Sequence, residues 1–128
     1  MTRLLILFLL GLPQFALAAV PEQVLAIAGT YYGEAFNGND LDPVVTVMAF
    51  DDQGRFYGNY QVEDEFALFE GSLSSLVQEG ERTFTMEWTD KDGEGFVFMQ
   101  FNADYSAFSG FWTDTSGEAQ RPWNGRKQ

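Results

Sequence analysis

The fold class this sequence predicts is all-β: an antiparallel up-and-down eight-stranded β-barrel. Three observations predict it. From Arg82 to Thr89, the apolar Phe84, Met86 and Trp88 alternate with Thr83, Thr85, Glu87 and Thr89, the period of two of a half-buried strand. Turn signals built on Gly, Asn, Asp and Pro recur along the chain at roughly the 8–12 residue spacing of a β sandwich or barrel, with no convincing helix between them. Gly33, Gly58, Gly71, Gly110 and Gly125 stand inside the strand segments, where they mark bends or let a neighbouring ring lie on bare backbone. Closing the ribbon into a barrel removes the exposed edges that an open sheet of this many strands would have to protect.

The chain begins with Arg3, an apolar run from Leu4 to Leu12 and the small-x-small site Ala16-Leu17-Ala18. Residues 1–19 therefore read as a secretory signal peptide, which makes the mature protein extracytoplasmic, either periplasmic or secreted. The run is shorter than the roughly 20 residues needed to cross a bilayer, and Pro13 interrupts its end. Residues 20–128 are then a single β-barrel domain.

In that domain, Val20–Ala28 is either a short helical turn or a lead-in strand, and Gly29–Phe36 is the first firm strand. The Asn37-Gly38-Asn39-Asp40 loop and Pro43 precede a β-branched strand over Val44–Phe50, and Asp51-Asp52-Gln53-Gly54 turns into a third over Arg55–Val62. A fourth runs from Phe66 to Gln78, with Phe69, Gly71, Leu73, Ser75 and Val77 expected on one face. Strand five spans Arg82–Thr89, six Phe96–Phe101, seven Tyr105–Trp112, and a short eighth Pro122–Arg126, where Pro suits only a strand start or edge.

Composition narrows the chemistry. With no Cys and no His, the chain has no disulfides, thiolates, imidazole ligands or Ser-His-Asp machinery, so its core alone must hold it; an aromatic content of 16% suits that task. The net charge of −12 repels phosphate backbones and anionic lipid surfaces, which removes nucleic acid as a partner and membrane insertion of the mature chain as a role. It reads as solubility or as attraction of a basic partner. The acids sit mostly in turns and on polar strand faces, where no pair stands out as the two facing carboxylates of a glycosidase, so a non-enzymatic protein is expected, with no cofactor.

The first half resembles the avidin and streptavidin family of biotin-binding barrels. Gly29-Thr30-Tyr31-Tyr32 stands for that family's Gly-Thr-Trp-Tyr, Gly54 to Tyr60 is similar to its Gly-x-x-x-Gly-x-Tyr, and Phe69-Glu70-Gly71 to its Leu-x-Gly. Trp88 and Trp112 fall near its pocket tryptophans. A lipocalin-like barrel is matched nearly as well by Gly29-Thr30-Tyr31 and Arg126. The polar biotin-binding groups do not carry over: Gly33 replaces the family's Asn, and Gly125-Arg126-Lys127 stands near its late acidic residue.

Three further features carry alternatives. Asp90-Lys91-Asp92-Gly93-Glu94-Gly95 resembles the first half of a calcium loop, but Phe101 stands at position twelve in place of a bidentate Glu, so a hairpin turn is expected over a weak calcium site. Trp88, Trp112 and Trp123, with Met86 and Met99, either line a cavity or fill the core. Phe96, Val97, Phe98, Met99 and Phe101 make strand six apolar on both faces, so either something covers the outside or the strand is an association surface, as in a homo-oligomer joined through Phe96–Phe101. The function expected is an exported binding protein holding a small apolar or aromatic ligand in the barrel mouth, lined by Tyr32, Tyr60, Trp88 and Trp112. The alternative is a cell-envelope protein-interaction module, such as a barrel-type protease inhibitor, using its loops and the Val20–Ala28 arm.

Overall fold

A computed structural model describes residues 20–128; the signal-peptide reading of residues 1–19 lies outside the described residues. A short helix, α1 (Glu22–Leu25), precedes eight strands: β1 (Gly29–Phe36), β2 (Leu41–Phe50), β3 (Phe56–Glu63), β4 (Leu68–Gly80), β5 (Thr83–Asp90), β6 (Gly93–Phe101), β7 (Ala107–Asp114) and β8 (Arg121–Lys127). Each strand pairs antiparallel with the next, and β8 returns to β1 through Tyr31↔Lys127 and Ala35↔Trp123, which closes the barrel. This is the predicted architecture, compatible with a calycin-like fold.

Three local differences have physical causes. β4 carries a bulge: its pairs run Ser74↔Glu87 and then Val77↔Thr85, so β4 spends one residue more than its partner, with Ser75 at φ 57. An extra residue reverses which side chains face inward. Leu73 is buried before the bulge and Leu76 packs on the core after it, while Ser75 and Val77, expected on the same face as Leu73, face solvent. The seventh strand starts at Ala107 instead of Tyr105, because Asn102 Oδ1 accepts the backbone N–H groups of Ser106 and Ala107 at 2.9 and 3.1 Å and rounds off a corner. Tyr105 occupies that corner at φ 60, its ring stacked on Phe101 at 5.6 Å. β2 starts early, at Leu41, and tolerates Pro43 because the β2–β3 ladder begins only at Val44↔Val62.

The arm before β1 takes the helical alternative. The Pro21 carbonyl accepts the amides of Val24 and Leu25, and the turn drops Ile27 into the barrel, where it is fully buried. Tyr31 Oη donates to the Ile27 carbonyl at 2.8 Å, and Lys127 Nζ to the Ala26 carbonyl at 3.1 Å, so the arm plugs this end. Above the plug, Tyr31, Phe101 and Phe108 pack ring against ring at 5.3–5.9 Å, followed by Met48, Met86, Val97 and Met99, all buried. The barrel is a filled core over most of its length.

Candidate functional site

At the opposite end, where β1, β3, β5 and β7 finish, the core gives way to a cavity of about 80 Å³ open to solvent. Its wall is aromatic: Tyr60 from β3, Phe69 from β4, Trp88 from β5, Trp112 from β7 and Trp123 from β8. Strand alternation explains the set. Phe84, Met86 and Trp88 all point inward along β5, and Asp90 continues that face to the rim. Val62 and Phe69 are register partners, which brings the fourth strand's ring to the same height.

The packing of these rings fixes the cavity's shape. Trp88 and Trp112 meet edge to face at 5.3 Å, and Tyr60 and Trp123 do so at 5.0 Å. Gly71 makes room for Tyr60, since a Cβ there would run into the phenol ring. Every ring polar atom already has a protein partner. Trp88 Nε1 donates to the Thr113 carbonyl at 2.9 Å, Trp112 Nε1 to the Phe36 carbonyl at 3.0 Å, Trp123 Nε1 to Thr46 Oγ1 at 3.1 Å, and Tyr60 Oη to Asp90 Oδ2 at 2.7 Å. What the rings offer a visitor is therefore apolar face, without free donors.

The polar contribution comes from the rim. Asp90 and Asp92 both border the cavity, the Asp92 amide donating to Asp90 Oδ1 at 2.8 Å. Burial, and then the bond to Asp90, pushes the Tyr60 hydroxyl far above its usual pKa, so it stays a neutral donor. Asp90 to Gly93 forms the expected tight hairpin, with Asp90 opposite Gly93.

Three of the four residues expected at the mouth, Tyr60, Trp88 and Trp112, come together there. Tyr32 does not. Tyr31 takes the inward position, so Tyr32 projects from the outer wall, 47% exposed and opposite Arg126 of β8. Met86 and Met99 belong to the filled core below the cavity. Phe69 and the Asp90–Asp92 rim were missed; the continued alternation from Trp88 to Asp90 was the available signal. On strand six, Val97, Met99 and Phe101 face inward and Phe96 and Phe98 outward, so the strand is apolar on both faces as expected. No protein-family model matches this chain, and no curated protein or solved structure matches it either.

Proposed function

We propose that the chain is an exported, non-enzymatic binding protein that takes a small apolar or aromatic group into the mouth of its barrel. The observation that carries this reading is the contrast between a packed interior and an aromatic cavity at one end whose ring polar atoms are all engaged elsewhere. Concave, mostly apolar sites with a few polar groups at the edge are where small ligands bind. About 80 Å³ is far below the ~300–1,000 Å³ of a site that engulfs a drug-sized ligand, so only the head of a ligand enters. The signal-peptide pattern of residues 1–19 supports export. The sequence resemblance to avidins through Tyr60, Trp88 and Trp112 supports a mouth site, while the missing polar groups argue against biotin.

The test is a tryptophan-fluorescence titration with small aromatic probes such as phenol and indole-3-ethanol. A saturable shift is expected, and Trp112→Ala should weaken it about tenfold, ~1.4 kcal/mol. A linear, non-saturating response to every probe would sink the reading.

One observation favours the protein-interaction alternative. Phe66 stands 88% exposed on the β3–β4 loop at the rim, held there by Asp64 Oδ1, which accepts the Phe66 and Ala67 amides at 2.8 and 2.7 Å. The Val20–Ala28 arm is tied into the closed end, so this alternative rests on the loops. Phe66→Ser separates the two, since it removes a protein contact and leaves the small-molecule titration unchanged.

A further inference from the structure

The mouth holds one of the chain's own cations in a seat made of ring and carboxylate. Lys91 Nζ lies 4.9 Å from the centroid of the Phe69 ring and 3.2 Å from Asp92 Oδ1. Phe69 and Asp92 both line the cavity, and Lys91 sits at the tip of the two-residue β5–β6 turn beside it. The hold is loose: the Lys91 and Asp92 side chains are 64% and 63% exposed. Across the mouth, Arg121 Cζ lies 4.8 Å from the centroid of Trp112, a second lining ring facing a cation. A ring face attracts a cation within ~6 Å, and more strongly where water is excluded.

The charge distribution points the same way. The loops at this end carry Asp40, Asp64, Glu65, Asp92 and Glu118, with Lys91 as their one basic residue among the described residues. The loops at the closed end carry Asp51, Asp52, Glu81 and Asp104 against Arg55 and Arg82. A negative rim around an apolar hollow concentrates cations at its entrance.

We infer that the group the mouth takes is an organic ammonium on a short apolar stem, and that Lys91 is its tethered placeholder. This rests on the reading of the mouth as a binding site and names its ligand class. The stem lies against Trp88 and Trp112, and the ammonium takes the Phe69–Asp92 seat as Lys91 swings into solvent. The shared chemistry admits two sources, a free alkylamine or a lysine side chain of a partner protein.

The experiment titrates the protein's tryptophan fluorescence with butylammonium, 1-butanol and butyrate, which share a stem and differ in charge, and with Nα-acetyl-lysine amide. Butylammonium should bind at least tenfold more tightly than 1-butanol and lose that advantage at ~1 M salt, where the screening length is about 3 Å. Asp92→Asn should weaken butylammonium several-fold. Lys91→Gln should tighten it several-fold by removing the competitor, a gain that a merely structural role for Lys91 would not produce. Acetyl-lysine amide binding as well as butylammonium assigns the source to a protein side chain, and much weaker binding assigns it to a free amine. Equal binding of butylammonium and 1-butanol, or weaker binding in Lys91→Gln, overturns the inference and leaves the binding reading standing. Silence toward these probes and the aromatic ones together overturns the binding reading itself.

Discussion

At the closed end of the barrel, Tyr31 is fully buried and its hydroxyl bonds the carbonyl of Ile27, a residue of the plug. At the mouth, Tyr60 is equally deep, but its hydroxyl bonds Asp90, an acid on an open rim. The same side chain, buried to the same degree, serves closure at one end and lines an opening at the other. The difference lies in what stands above each ring: an apolar arm folded back over the strand ends, or short acidic loops with nothing across them among the described residues. Rings under a plug have neighbours on all sides, and their removal leaves a void. Trp112 at the mouth is only half-buried, so its removal loses less.

That contrast is broken most directly by truncating one ring at each end. Phe101 is 2% exposed and touches Tyr31, Phe84, Tyr105 and Phe108, so Phe101→Ala should cost about 3–5 kcal/mol in urea denaturation. Trp112 is half-buried at the mouth, and Trp112→Ala should cost well under half of that while removing the ligand wall. Equal losses would mean that the mouth is core and that no functional distinction separates the two ends.

Alkaline titration sharpens the comparison with a smaller effect. Burial raises the pKa of Tyr31 and Tyr60 above the ordinary value near ~10, and for Tyr60 the Asp90 carboxylate adds to the rise. The sign follows from which state binds more protons. Above pH ~10 the unfolded chain loses phenol protons that the folded barrel keeps, so the stability present below that pH declines as pH climbs further. The urea midpoint should fall steadily from about pH 10 to 12. Tyr31→Phe and Tyr60→Phe should each flatten the decline, and a midpoint constant across that range would show that the phenols are not held neutral by the fold.

Much of this was legible in the residues, and the gaps have causes. Phe84, Met86 and Trp88 announced their strand because an inner face packed with rings demands apolar residues at every second position, and the outer face does not. The same period places Tyr32 beside Glu34, on the outside, with Tyr31 and Ala35 on the inner face. The β4 bulge left no mark, because Ser75 in a left-handed conformation is not a residue that signals a turn. Asp90 and Asp92 are turn formers. That a turn at a barrel's end is also the lip of its mouth is a fact of closure, and closure depends on β8 meeting β1, nearly the whole chain away.

The outer wall of β6 and β7 carries the smallest expected effect. Phe98 and Phe111 are cross-strand partners there, stacked at 5.3 Å and 22°, and Phe96 lies outside the same strand, 49% exposed. Such rings add little to the fold, so Phe96→Ser should change stability by no more than about 0.5 kcal/mol. We propose that their role is to meet a second copy of the chain, which would cover an apolar stripe that the barrel leaves in water. Light scattering should then give an oligomer mass for the parent protein and a monomer mass for the variant, with ligand titrations at the mouth unchanged. A monomer mass for the parent at the concentrations used for binding removes that role and leaves Phe98 and Phe111 as a cross-strand pair that stabilises the wall alone.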